Sequence, residues 1–341
     1  MFKEGYCFYE ENLTKPIEKE FYRNAYESMK NRKAAISFDY HDVSSQRAKE
    51  IIKGICMDHP SLFYVDMYGG CYQAGMPAHY YFKYIYDEKT TQQYEEQIKK
   101  IIMNFFDQYK ILTLNRYNRI LILHNFISSI CVYDPEVARG GNGVKEDYNV
   151  IGVFERKISV CMGFSFVYKL LCDYASVPCF IAIGTCHSEG KHAWNLVEYE
   201  GEFYNLDSTW DLSKNKNKGL FGLYTYFLVD NDWISKTRKF DEGFKYPQNK
   251  RGIHNVFFEK NNYTVSSVNE LDEYIYQKLQ EYPKEIVVYI KTNQTVSLYD
   301  IERNVHNAFR HFNLVYQEKF SYVLDTSDLR YQIVRLVINS F

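Results

Sequence analysis

His192-Ala193-Trp194-Asn195-Leu196-Val197-Glu198-Tyr199, then Glu200-Gly201, then Glu202-Phe203-Tyr204-Asn205-Leu206-Asp207 read as two strands joined by a tight turn. Strand-forming residues on both sides of a glycine-bearing pair are the sequence signature of a hairpin. With a two-residue loop, Tyr199 pairs with Glu202, His192 faces Thr209 and Asp207 faces Trp194. His192 and Asp207 then become diagonal neighbours on one face, close enough for their side chains to meet. A four-residue loop over 199–202 keeps that register. A three-residue loop with a bulge at Gly201 puts the two side chains on opposite faces.

Upstream of the hairpin, residues 179–184 read as a further strand and residues 163–175 as a helix. A helix followed by antiparallel strands is the order of an α+β unit. Cys161 ends the loop before that helix, in Val160-Cys161-Met162-Gly163-Phe164. A helix start offers unpaired N–H groups and partial positive charge. Both favour the nucleophilic thiolate, and the same N–H groups can hold the oxyanion formed when a carbonyl is attacked. A carboxylate beside an imidazole fixes its tautomer, and the other ring nitrogen is left to exchange a proton with a thiol and a leaving amine. Singly, each residue has a plainer reading: Cys161 as a buried small hydrophobe, His192 as a core histidine, Asp207 as a turn or cap residue. Together, Cys161, His192 and Asp207 point to a thiol nucleophile with an oriented base.

Helical spacing recurs at 15–33, 44–56, 91–110 and 116–129, with short strands expected at 63–65 and 79–86 around Gly69-Gly70 and a polar surface loop at 213–219. Beyond about residue 252 the pattern changes to a helix at 268–279, a strand at 285–291, a helix at 298–312 and strands at 315–324 and 331–338. That tail reads as a separate small α/β unit with no catalytic cluster. The chain of 341 residues therefore divides into a helical and β region at 1–115, a core at 116–250 and the small unit at 251–341. Lys plus Arg number 41 against 43 for Asp plus Glu, a balance that draws the protein to neither nucleic acid nor an anionic membrane. The opening residues lack a basic-then-apolar leader and no apolar run is long enough to span a bilayer, so the expected location is the cytoplasm. The eight cysteines contain no CxxC pair and are expected to be mostly buried reduced thiols. An aromatic content of 18% supplies amphipathic side chains for seams and a substrate groove.

Val160-Cys161-Met162-Gly163-Phe164, His192-Ala193-Trp194-Asn195 and Asp207-Ser208-Thr209-Trp210-Asp211 occur in that order. The stretch 124–211 thereby resembles the transglutaminase-like superfamily in its bacterial, protease-like branch, with its Val-Cys-x-Gly-aromatic, His-Ala-Trp-Asn and Asp-x-Thr-Trp-Asp motifs. His124-Asn125-Phe126 with Tyr133-Asp134 resembles the helix that leads into that domain. The resemblance implies a papain-like core and thiol-dependent acyl transfer, with Cys161 as nucleophile, His192 as base and then acid, and Asp207 orienting it. It favours hydrolysis of a peptide or protein substrate, with no cofactor. Protein cross-linking is the alternative within the same chemistry. A non-catalytic peptide-binding scaffold on the same fold is the alternative from another class.

Two departures from the family pattern stand out. Met162 occupies a position where a polar residue is common, and Ile151-Gly152 falls where many relatives carry Tyr-Gly. The oxyanion contact then falls to the main-chain N–H of Cys161 or to Asn149. Trp194 and Trp210 are expected along the groove, and Asn195 near the backbone at His192. Cys186-His187 with Cys172 and Cys179 invites a zinc reading, but the close fixed spacing of such sites is missing and no metal is expected. Gly140-Gly141-Asn142-Gly143 lacks the Lys-Ser or Lys-Thr of a phosphate loop and reads as a turn.

Overall fold

The computed structural model describes residues 2–39, 41–187, 190–213, 224–249, 251–292, 294–317, 320–325 and 331–340. Its first part holds α1 (Phe8–Glu11), α2 (Pro16–Lys30), β1 (Ala35–Phe38), α3 (Ser45–Asp58), β2 (Cys71–Gln73), β3 (Ala78–Tyr81) and α4 (Glu88–Tyr109). The helices begin where short polar side chains can take a free N–H of the first turn. Ser44 accepts from the N–H of Arg47 at 3.2 Å, and Asp87 from that of Thr90 at 2.7 Å. The three strands form an antiparallel sheet in the order β1-β3-β2. Two expectations change here. Residues 63–64 form a turn, leaving only Val65 bridged to Tyr84, and the strand expected at 79–86 stops at Tyr81. β1 and β2 escaped the sequence reading because strands this short carry almost no period-two signal.

Next come α5 (Arg116–Ile130), β4 (Val132–Tyr133), α6 (Pro135–Ala138), β5 (Ile158–Ser159), α7 (Cys161–Tyr174), β6 (Cys179–Cys186), β7 (Gly190–Tyr199), β8 (Glu202–Leu206), α8 (Ser208–Ser213) and β9 (Arg238–Phe240). β6 to β9 make an antiparallel sheet in the order β8-β7-β6-β9. The hairpin closes as the two-residue turn. Glu200 and Gly201 both have positive φ, 53° and 83°, and Tyr199 pairs with Glu202. Bulge-free pairing continues to Asn195 and Leu206, so the register that unites His192 and Asp207 is the one formed. The loop expected at 213–219 lies, apart from Ser213 at the end of α8, outside the described residues.

α7 packs on β6 and β7, with α5 against it, and every residue from Met162 to Tyr174 is buried. A helix enclosed on all sides must satisfy any polar group within the protein. Lys169 does so through Asp173 one turn on, at 2.5 Å. Tyr168 donates to the carbonyl of Ile120 at 3.0 Å. The N-terminal helices close over the sheet: Phe8 stacks on Phe180 at 3.8 Å, and the Tyr9 hydroxyl donates to the carbonyl of Ile181 at 2.6 Å. Buried Asp58 holds this cover in place, accepting from the N–H groups of Tyr9 and Glu10 and from the Tyr22 hydroxyl. One apolar cluster consequently takes in residues from Phe2 to Phe258 together with Tyr289, Tyr331 and Ile333.

The C-terminal residues build β10 (Thr264–Val265), β11 (Glu285–Ile290), β12 (Phe320–Asp325) and β13 (Ile333–Ser340) in the order β10-β11-β13-β12, backed by helices Leu271–Leu279 and Leu298–Tyr316. They enclose a second apolar cluster that includes Leu271, Ile286, Val288, Val305, Phe312 and Leu336. The strand expected from 315 begins only at Phe320. Val315 and Tyr316 instead complete the helix on its exposed side, and Gln317 ends it with φ 56°. No helix among the described residues is long and apolar enough to cross a membrane.

Nothing lies within 4 Å of a Cβ placed on Gly201, so a side chain there meets only the backbone cost of positive φ. Gly201→Ala is expected to cost about 1–2 kcal/mol in urea unfolding. A neutral result would mean that the turn is not held in this conformation.

Candidate active site

Three separate elements deliver the site. Cys161 is the first residue of α7, partly exposed, and its N-cap, Val160, has no side chain able to take an N–H of the first turn. His192 lies on β7 and Asp207 leads directly into α8. His192 Nε2 and Asp207 Oδ2 are 2.6 Å apart, and the Cys161 thiol is a further side-chain hydrogen-bond partner of His192. With Nε2 committed to the carboxylate, Nδ1 is the nitrogen left for sulfur. The three residues singled out in the sequence therefore meet as one group.

Asp207 is almost wholly enclosed and every part of its carboxylate is engaged. Oδ1 accepts the N–H of Trp210 at 3.1 Å, which also caps α8. Oδ2 accepts from His192 and, at 3.0 and 2.5 Å, from Nε and Nη2 of Arg238 on β9. Arg238 is equally buried, its guanidinium lying 4.1 Å from the ring centre of Trp210 and 4.4 Å from that of Tyr226. Burial alone would raise the Asp207 pKa, but the neighbouring imidazole and guanidinium hold it well below the usual carboxylate range. Burial likewise disfavours the imidazolium of His192. The charge of Asp207, the neighbouring Cys161 sulfur and the hydrogen bonds to both outweigh that, pushing its pKa from 6.5 up to about 10. The site is thus built to keep an imidazolium beside sulfur at neutral pH.

Arg238 was not singled out in the sequence. It lies 27 positions beyond Asp211, the end of the last motif, in Lys236-Thr237-Arg238-Lys239, and only the pairing of β9 with β6, Arg238 opposite Cys186, carries it to Asp207. Gly163, by contrast, is explained. A Cβ there would fall 3.0 Å from the carbonyl of Asn149 and 2.1 Å from Ser159 Oγ, so the motif glycine lets the 147–149 segment lie against the first turns of α7. His124 and Asp211 are fully buried and 3.4 Å apart, linking α5 to α8.

The expected substrate contacts need correction. Asn195 is 1% exposed and donates to the carbonyl of Ser165 at 3.0 Å and to Cys179 Sγ, so it ties β7 to α7 and meets no substrate. Trp194 is 1% exposed, donates to Asn205 Oδ1 at 2.9 Å and stacks beside His192. Trp210 packs edge-on to His192 and under Arg238. Both tryptophans shape the pocket of the imidazole from within. Asn149 Oδ1 takes the N–H of Ile151 at 2.9 Å, and its side chain also bonds Tyr86, so it is a strut in place of the expected oxyanion donor. On β7 alternation cannot reveal this in sequence, because both faces are buried from His192 to Val197.

Cys172 and Cys179 are buried and hydrogen-bonded to each other, and burial raises the Cys172 pKa well above its usual value, the opposite of what a metal thiolate needs. Among the described residues, Asp230, Asp232 and His254 bring ligand atoms within 4.8 Å of one another. Asp230 is already used: one oxygen caps the helix Asn231–Ser235 through the N–H of Trp233, and the other pairs with His254 at 2.8 Å.

Removing one partner of a buried pair leaves the other charge uncompensated. Arg238→Ala is expected to destabilise the protein by about 3–5 kcal/mol in urea titration. A loss below about 1 kcal/mol, the range of exposed pairs, would refute a buried clamp on Asp207.

No family model matches the sequence, and no curated protein matches it either. Solved structures similar to part of the chain include a TGase at 15% identity, TM-score 0.31, covering 44% of this chain and 46% of that one. Another, a protein of Cytophaga hutchinsonii provisionally described as a cysteine protease, is 17% identical, with TM-score 0.27, over 33% of this chain and 37% of that one. The chain spans less than half the length of either. The α+β assignment rests on the elements of the chain itself.

Proposed function

We propose that the protein is a transglutaminase-like cysteine hydrolase that cleaves peptide or amide bonds through a thioester on Cys161. The observation that carries this reading is the Cys161–His192–Asp207 group, with Asp207 locked in its ionised form. The Cys161 thiolate attacks the carbonyl carbon, a C–S bond forms, and the negative charge moves to oxygen. The N–H groups opening α7, that of Cys161 first, face this charge without a competing cap. The His192 imidazolium then gives its proton to the leaving nitrogen as the C–N bond breaks, and the thioester remains. Neutral imidazole next takes a proton from water, which attacks the thioester. The acid is released and the thiolate–imidazolium pair returns. Asp207 keeps the ring oriented throughout, and Arg238 keeps Asp207 in place.

Labelling with iodoacetamide tests the nucleophile. Cys161 is expected to react well ahead of Cys71, the exposed cysteine, and His192→Ala to slow it by on the order of 10²-fold, the low end for a positioned acid–base partner. Equal rates at Cys161 and Cys71 would favour a binding module on the same fold.

The His192 imidazole should titrate near pH 10 by NMR, and in Asp207→Asn its pKa should fall, since the carboxylate that opposes burial is gone. The sign for stability follows: a raised pKa contributes stability that is complete below pH 6.5 and lost as pH climbs through about 10. Titration near 6.5 in the wild type would end the proposal of a standing imidazolium.

Water and amine acceptors separate in one assay. With casein and a fluorescent primary amine, the expected outcome is Cys161-dependent release of new amino groups without fluorescence on the protein. Fluorescent casein, lost in Cys161→Ala, would make the enzyme a cross-linking transglutaminase.

A further inference from the structure

A cavity of about 290 Å³ opens between the N-terminal region and the 143–150 segment, with α7 contributing to its lining. Its floor is buried and apolar: Leu62, Phe63, Val65 and, from α7 itself, Phe166. At its mouth stand Tyr68, Val144 and Tyr148, large apolar side chains left 65, 46 and 42% exposed. Exposed apolar groups gathered at one opening mark a contact site more often than scattered ones do. The charged lining is internally neutralised, since Lys145 binds Asp66 at 2.8 Å.

The helix α7 joins the cavity to the reacting centre: it begins at Cys161 and lends Phe166 to the floor. Asn149, which lines the cavity, belongs to the segment that Gly163 admits against the first turns of α7. The size of the cavity decides among occupants. An apolar cavity of about 150 Å³ accommodates benzene, so 290 Å³ takes one large side chain with room to spare and not a folded partner or a nucleotide.

We propose that this cavity is the specificity pocket of the enzyme and receives an aromatic or branched apolar side chain of the acyl donor, next to the carbonyl that Cys161 attacks. The inference rests on the acyl-transfer reading above and adds the substrate class. Neither the neutral lining nor the apolar floor rewards a lysine or aspartate side chain, because a buried unpaired charge is costly.

The probes are acetyl-X and acetyl-X-glycine chloromethyl ketones with X as Gly, Phe or Lys, and alkylation of Cys161 is followed by peptide mapping. In at least one series Phe is expected to outpace Gly and Lys by about tenfold or more, the gain from burying one large apolar side chain. Val144→Trp at the rim and Val65→Phe at the floor should each bring the Phe-to-Gly ratio toward unity. In the wild type, added benzyl alcohol should slow the Phe reagent and spare the Gly reagent, a readout that needs no variant to fold. Equal Phe and Gly rates, a ratio unmoved by both substitutions, or no competition from benzyl alcohol would each overturn the pocket while leaving the nucleophile standing. Slow iodoacetamide labelling of wild-type Cys161 would instead remove the reading beneath it.

Discussion

A carboxylate buried between an imidazole and a guanidinium is the constraint around which this protein is arranged. Taking Asp207 out of water costs several kcal/mol, and the same holds for Arg238. Neither is tolerable unless both are placed to hydrogen-bond distance. That requirement fixes β9 on the edge of the sheet, sets the start of α8, and demands two aromatic faces, Trp210 and Tyr226, to close over the guanidinium. What remains of the charge of Asp207 is directed at a single ring, His192, and through it at sulfur.

Much of this was legible in the chain. The pair Glu200-Gly201 predicted the hairpin, and of the loops it allows the two-residue turn, which is the one formed, brings His192 and Asp207 together. The position of Cys161 followed from the apolar period of α7. Arg238 was not legible, because a single arginine in a polar run carries no periodicity, and its partner is found only through a long-range strand pairing. That Trp194 and Trp210 are buried, where a groove position was expected, was hidden for a related reason. Alternation tells inside from outside only when one face of a strand meets water, and β7 is covered on both.

The N-terminal region was read as helices with a few short strands, and its purpose was invisible in sequence. In the structure it is part of the same apolar cluster as the core. Asp58, Tyr22 and Tyr9 form a polar seam beneath it, and Phe8 stacks against the strand that carries Cys179 to Cys186. Its loop from Pro60 to Tyr68 supplies one wall of the cavity of about 290 Å³. A region whose purpose the sequence does not declare thus contributes to the lining of the cavity next to α7.

The C-terminal unit bears on the chemistry from further away. Tyr331 stacks on Trp233 at 4.7 Å and its hydroxyl meets those of Tyr226 and Thr237, at 3.1 and 3.2 Å. Thr237 in turn accepts a hydrogen bond from Nη1 of Arg238. A single tyrosine from the tail therefore props the outer end of the cation whose inner end grips the acid of the triad. Shortening the protein to its motif-bearing segment would withdraw that prop, so the catalytic fragment suggested by motif boundaries is smaller than the piece of chain that can keep the reacting groups aligned.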